Sequence, residues 1–326
     1  MTAQHASDAG QGPPGRRPPR SRRRRRLLLL LLALLIAAPA VDAAVLTSRI
    51  DEVDVDLPER PEDVDGETWV LVGLDSRAQL PAGASPTDFG TAEDVPGSRA
   101  DVVVVVHRTE AGTTALSVPR DLLVRASGTS GRLALTWLDG PQATVDALCG
   151  LGIPTDHLIT VGLAGFAATV DAVGGLEVDV PEPVRDRPAG LELTTPGRLH
   201  VDGATALALV RSRQPEQLVD GRWVPATVDP DGRATTAGTV LSALLDRVRE
   251  SALRRPWRLQ SVAWAASGGL AVDPGTSVLD LAGLAGADIG DLATLPASAP
   301  LSPSLVRLPT ADTAAAVAAA GLSCSD

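Results

Sequence analysis

The chain has 326 residues, 44% of them hydrophobic, enough to bury one large core or two ordinary ones, so pervasive disorder is excluded. The formal net charge is −11, Lys is absent, and Arg carries all of the basic charge. Eight Arg stand against one Asp in the first 26 residues, so the remainder is more acidic still; such a body lacks the basic face that general nucleic-acid binding requires.

Residues 1–26, rich in Pro, Gly, Gln and Arg, are expected to be a disordered basic cytoplasmic tail. Residues 27–46 form an apolar run interrupted only by Pro39 and Asp42, long enough to span a bilayer core of about 30 Å. Positive flanks stay inside, so the run predicts a single-pass anchor in the cell membrane, with the N-terminus cytoplasmic and the body extracytoplasmic. A cleaved signal peptide, with Val41-Asp42-Ala43 at the processing site, is the alternative; export follows from both. Residues 47–67, acidic and Pro-bearing, are expected to be a stalk or the approach to a first strand. Residues 68–326 are expected to form one extracytoplasmic domain, since neither an internal repeat nor a long low-complexity linker divides them.

Within that domain short β-type runs alternate with helical ones. Residues 69–74, 102–107, 113–118, 158–161 and 176–180 predict strands, and the unbroken Val run suggests a strand covered on both faces. Helices are expected at 141–148, opened by Pro141, and at 163–173, closed by Gly174-Gly175. Further helices are expected at 204–210, 234–251, 277–287 and 313–320, with turn-rich loops at 128–132 and 216–232. Interleaved strands and helices imply a layered α/β architecture. Cys149 and Cys324 make one disulfide plausible in an exported chain, with two buried thiols as the alternative. Neither has a second Cys or His at ligand spacing, so zinc binding is not expected.

The common catalytic signatures are absent: no nucleophile elbow, Walker loop, dinucleotide fingerprint or zinc-spaced His pair occurs. His5, His107, His157 and His200 are scattered and are expected to be structural or solvated. Four short motifs instead place Arg and Asp at element ends: Gly73 to Arg77, Ser98 to Asp101, Ser117 to Asp121 and Val210 to Arg213. Singly each is weak. Together they suit a diphosphate, because strand-end loops converge on one sheet edge, guanidinium groups grip phosphate oxygens bidentately, and carboxylates can hold a bridging divalent cation.

In this order the motifs resemble those of the LytR-CpsA-Psr family. LAGFAATVDAVGGLEVDVP (from Leu163), LHVDGATALALVRSR (from Leu199) and DGRWVP (from Asp220) extend the likeness over residues 69–248, with a looser echo from Val272 to Ala285. The resemblance implies a three-layer α/β/α fold with a central mixed sheet and a deep apolar pocket for a polyprenyl chain. It also implies magnesium-assisted transfer of a phosphoglycosyl polymer from a polyprenyl-diphosphate-linked glycopolymer to a peptidoglycan hydroxyl. Carried over to this chain, Asp75 and Asp101 become candidate Mg2+ ligands. Arg77, Arg99, Arg120, Arg211, Arg213 and Arg233 become candidate diphosphate ligands, and Asp121 a candidate for substrate or acceptor contact. Two departures stand out. Ala134 replaces the Asn that often follows the Pro-Arg-Asp motif, and Thr236-Ala237 replace a typical Arg-Gln pair. The second departure also admits a divergent polyprenyl-phosphate-binding envelope regulator or scaffold, and the same Arg set admits a diphosphate-lipid hydrolase.

Overall fold

Strand β2 (Glu67–Leu74) is the organising element, paired on both sides: antiparallel to β3 (Ala100–Thr109) and parallel to β7 (His157–Gly162). The computed structural model describes residues 20–58, 65–82, 91–126, 128–226, 232–289, 292–302 and 304–324. Within helices it leaves out the side chains of 20–24, 31, 32, 34, 36, 232–235, 252, 253 and 256.

The chain divides after Val45. The first unit contains most of helix α1 (Arg20–Thr47), 28 residues long with Pro39 inside it. Among the described residues no helix is long and apolar enough to cross a membrane. Four side chains of the Leu-rich run fall outside the description, so the span expected at 27–46 is not established there.

The second unit, Leu46–Asp326, carries a seven-stranded mixed sheet in the order β1-β14-β7-β2-β3-β4-β15. The central strands are those the apolar runs predict, extended by β4 (Gly112–Val118) in antiparallel pairing with β3. Three short strands were not expected: β1 (Asp51–Glu52) and β15 (Leu292–Thr294) at the two edges, and β14 (Leu270–Val272) between β1 and β7. Two or three residues show no periodicity, and their pairing is decided by what lies beside them. Because β1 pairs with β14 and Val53 is buried in the core, the expected stalk at 47–67 is in its first part a piece of the domain.

Alternation along the strands sends side chains to two faces, and each face has its own core. Val70, Val72, Val103 and Val105 pack beneath helices α2 (Leu133–Thr136), α3 (Pro141–Cys149) and α9 (Ala311–Ala319). Trp69, Val104, Val106 and Ile159 pack on the opposite side, under α6 (Gly232–Arg254) and α8 (Val278–Gly286). This is the three-layer α/β/α arrangement around a mixed sheet. The two cysteines form a disulfide, Cys149 to Cys324, with Cα atoms 5.4 Å apart.

A third cluster joins α4 (Leu163–Val173), α5 (Gly203–Arg211), α6 and α7 (Pro256–Ser267) to β8 (Leu176–Val180) and β11 (Gly197–Val201). Its spacing depends on glycine: a Cβ at Gly203 would lie 2.1 Å from the Ala167 carbonyl oxygen, and one at Gly165 would lie 2.5 Å from the Gly269 Cα. Helix α7 was not expected, although Pro256 at its first turn marks its start.

Both predicted loops contain strands. Residues 129–132 form β6 (Thr129–Arg132), paired with β5 (Leu123–Ala126), although Thr-Ser-Gly-Arg carries no alternating apolar signal. Residues 216–225 form the hairpin β12 (Glu216–Val219) and β13 (Arg222–Pro225), turning at Asp220-Gly221. Both turn residues have positive φ, 49° and 74°. Asp-Gly between Val-ending and Trp-Val-containing runs is a standard two-residue hairpin turn, its positive φ values tolerated by these two residues. The hairpin joins β9 (Val184–Asp186) and β10 (Leu191–Leu193) in a four-stranded sheet.

Candidate functional site

The first two motifs meet because β2 ends where β3 begins. Asp75 and Asp101 both donate their backbone N–H to the Arg99 carbonyl, each at 3.0 Å, which sets the two carboxylates side by side. Asp75 is buried; Arg77 pairs with its Oδ2 at 2.8 Å and also donates to its carbonyl at 2.8 Å. Arg120, at the end of β4, pairs with Asp101 Oδ1, and Arg213 pairs with Asp101 Oδ2 while standing 3.8 Å from Asp75 Oδ2. Behind them Asp121, also buried, lies 3.6 Å from Arg120 and 3.4 Å from Arg132.

Arg211 is half-buried among the same charges. Burial first, and the like charges of Arg77 and Arg213 with it, lower its pKa from the usual Arg value, while Asp75 and Asp101 act against that shift. Five guanidinium groups (Arg77, Arg120, Arg132, Arg211, Arg213) thus face three carboxylates (Asp75, Asp101, Asp121). In an acidic chain this local surplus of positive charge suits an anion. Seven of the nine predicted site residues are brought together through their side chains: Asp75, Arg77, Asp101, Arg120, Asp121, Arg211 and Arg213. Arg99 takes part through its carbonyl, a backbone role that its residue type does not announce. The side chain of Arg233, at the start of α6, lies outside the described residues.

Asp186 has no place in the sequence motifs, yet it holds the Arg213 loop. Its Oδ2 accepts from Ser212 Oγ at 2.8 Å, Arg213 N at 2.6 Å and Gln214 N at 2.7 Å, and its Oδ1 accepts from Ala189 N at 3.3 Å. The chain leaves α5 at Ser212 with a non-helical ψ of 121°, and this carboxylate satisfies the backbone donors that the exit frees. Arg185 beside it pairs with Glu216 at 2.7 Å and stacks on Trp223 at 4.6 Å, which ties the hairpin to the same strand. A lone Asp before Arg-Pro-Ala-Gly offered only a local turn signal; its partners lie 26 to 28 residues away.

Both departures from the family pattern have defined positions. Ala134 is buried, and its N–H donates to the Arg120 carbonyl at 2.9 Å, so an apolar methyl lies under the Arg120 loop where the family often has an amide. Thr236 lines a cavity of about 110 Å³ with Val178, Val180, Leu209, Thr239 and Val240, and Ala237 is buried beside it. That volume is below the roughly 300–1,000 Å³ of sites that enclose a drug-sized ligand, so this cavity is not the deep polyprenyl pocket expected.

The histidines stand elsewhere. His157 lies between Glu67 at 2.9 Å and Thr276 at 2.6 Å and stacks on Trp69, while His107 bonds Thr68 at 3.0 Å. Both are at the opposite end of β2 from the Arg cluster. His200 pairs with Glu177 on the surface, and His5 falls outside the described residues.

The site thus belongs to a three-layer α/β/α domain whose Arg and paired Asp converge at one end of a mixed sheet. Residues 40–277 match the LytR_cpsA_psr family profile, and the chain belongs to that family. The solved LytR-Csp2A-Psr enzyme from Actinomyces oris is 38% identical, with a TM-score of 0.71 over 84% of this chain and 97% of that one. The probable cell wall biosynthesis protein LcpB of Corynebacterium glutamicum is 37% identical over 51% of this chain. The polyisoprenyl-teichoic acid–peptidoglycan teichoic acid transferase TagU of Halalkalibacterium halodurans is 29% identical over 58% of this chain and 67% of its own length. The matched region spans 41% of LcpB.

Proposed function

We propose that this protein transfers a phosphoglycosyl polymer from a polyprenyl-diphosphate carrier to a hydroxyl of peptidoglycan, as a phosphotransferase of cell-wall assembly. The observation that carries the reading is the convergence of Arg77, Arg120, Arg211 and Arg213 on the Asp75–Asp101 pair. The acceptor oxygen attacks the sugar-side phosphorus, the bond from that phosphorus to the bridging oxygen breaks, and polyprenyl monophosphate leaves with the bridging oxygen. In a loose transition state the attacking hydroxyl needs little activation, and its proton passes to solvent. The Arg side chains hold the diphosphate in line and stabilise charge on the leaving phosphate.

Mg2+ fits this pair in a limited way. Asp75 Oδ1 is buried with no hydrogen-bond partner, a free acceptor facing a polar site. Among the described residues no three His, Cys, Asp or Glu stand together as a metal site. Magnesium commonly takes one or two carboxylates and completes its shell with phosphate oxygens and water. Asp75 and Asp101 would therefore hold it once a diphosphate is bound, where it would neutralise charge on the phosphate oxygens.

The proposed location is the cell membrane, by a single span at 27–46 with the tail cytoplasmic. Its support is the Arg run ahead of the helical Leu run, in which Leu27 to Leu30 are 61–67% exposed. Protease added to intact protoplasts should digest the body and spare the tail; release of a soluble form beginning at Ala44 would show cleavage instead. A second reading, a lipid-binding regulator, rests on the missing Arg-Gln pair, replaced here by Thr236-Ala237. Incubating the full chain with labelled lipid-diphosphate oligosaccharide, a peptidoglycan fragment and Mg2+ separates the readings. Labelled peptidoglycan supports the transferase. Intact bound lipid supports the regulator, and free phosphoglycan would mean that water is the acceptor.

A further inference from the structure

Only five Trp, two Phe and no Tyr occur in the whole chain, yet two of those Trp sit exposed on one helix. Trp257 and Trp264 of α7 are 73% and 49% exposed. Seven residues apart, they fall about 20° from each other around the helix axis and share a face. Val262, on another face, is buried in the cluster formed with α4 and α6, so α7 is anchored from behind and leaves Trp257 exposed and Trp264 half-exposed. Arg254 and Arg255, just ahead of α7, are exposed as well, Arg254 in an exposed ion pair with Glu250 at 3.2 Å. A basic, aromatic face on an otherwise acidic domain calls for an anionic, partly apolar partner.

Two observations indicate which partner. Arg49 lies two residues beyond α1; its guanidinium stacks over the Trp264 ring at 3.8 Å, and it donates to the Trp264 carbonyl and the Ser267 hydroxyl, each at 3.1 Å. Chain connectivity therefore keeps the Trp face within a few residues of the helix proposed as the membrane anchor. Strand register supplies the second: Leu270, three residues after α7, pairs with Val161, which pairs with Gly73, two residues before Asp75. The C-terminal end of α7 and the Arg cluster thus occupy the same end of the sheet.

We infer that the Trp257–Trp264 face of α7, with Arg254 and Arg255, docks on the anionic lipid surface of the membrane. Trp rings settle at the headgroup level, and Arg is drawn to anionic lipids. Docking would turn the cage end of the domain toward the bilayer, where the diphosphate of a lipid carrier resides. The inference rests on the proposed anchor but on no catalytic step.

The test mixes the full chain with vesicles of equal parts phosphatidylglycerol and acyl-brominated phosphatidylcholine, and reads Trp emission after flotation. Wild type should be quenched about two-fold more than the double variant Trp257→Ser with Trp264→Ser, whose remaining Trp stay in the fold away from lipid. Arg254→Gln with Arg255→Gln keeps both Trp and should lose part of that quenching; unchanged quenching would overturn the anionic-surface assignment. Equal quenching of wild type and the Trp double variant in floated samples would overturn the docking alone, with anchor and transferase intact. Failure to float would overturn anchor and docking together. A protein partner instead of lipid would show as a Trp face that stays unquenched.

Discussion

Both ends of β2 carry clusters of ionisable groups, and the two clusters are built differently. At the Glu67 end, His157, His107, Asp156 and Glu67 have hydrogen-bond partners within the fold: His157 with Glu67 and Thr276, His107 with Thr68, and Asp156 with the Thr68 N–H at 2.6 Å. At the Leu74 end, four guanidinium groups from three separate segments crowd two carboxylates, Arg211 is half-buried among like charges, and Asp75 Oδ1 has no hydrogen-bond partner. The first end is satisfied by the fold itself. The second concentrates like charges around a buried carboxylate, the arrangement on which the proposed diphosphate site rests.

Substitutions at the two ends should accordingly separate stability from binding. The largest expected effect is at the satisfied end, where the disulfide closes a separation of 175 residues. Reduction, or Cys149→Ser with Cys324→Ser, should cost roughly 5 kcal/mol of unfolding free energy in the chain-entropy model. Denaturant titration measures it, and polyprenyl-phosphate affinity at the far end should hold; a parallel loss of affinity would erase the distinction between the ends.

Asp186→Ala should come next, because it leaves three donors around Arg213 without their acceptor, at about 1–3 kcal/mol for an unsatisfied group. Its signature is mixed: a lower melting temperature together with weaker lipid binding, because Asp186 acts through the position of Arg213. Asp186→Asn, which keeps an acceptor oxygen, should restore part of both, and a variant with full affinity would dismiss the bracing role. Arg213→Ala should behave as a pure binding lesion. Losing charged hydrogen bonds predicts a drop of roughly 1.5–3 kcal/mol in diphosphate-lipid affinity, with stability little changed because its side chain is half-exposed. Arg211→Lys, which keeps charge and loses the planar fork, should lose about ten-fold in affinity; titration showing affinity equal to wild type would remove Arg211 from the cage.

The smallest effect belongs to pH. Burial holds the His107 pKa below the ordinary His value, with Asp156 and Asp65 opposing. The folded state therefore keeps His107 neutral while the unfolded chain protonates it below about pH 6.5. Its contribution is complete above that pH, falls as pH drops toward the folded pKa, and levels off beneath it. Melting temperatures from pH 7.5 to 5 should decline less steeply in His107→Gln than in wild type, and parallel curves would show that His107 does not contribute.

Much of the central sheet was legible because Trp69 to Leu74 and the Val102 to Val106 run are long, apolar and bounded by turn residues. Helices α3 and α4 were legible for a similar reason, the start of one and the stop of the other being written as Pro141 and Gly174-Gly175; the Asp202 cap of α5 emerged only in the structure. The Arg and Asp motifs were legible as a set, since element ends on one edge of an α/β sheet converge. Tertiary structure alone decided the rest: that Arg99 serves through its carbonyl, that Asp186 braces Arg213, that the cysteines pair, and that β1 draws residues 51–53 into the domain. Sequence patterns register periodicity over a few residues. Arg213 and Asp101 stand 112 residues apart and Arg49 and Trp264 215 apart, and such contacts form only when the sheet and its helices close around them.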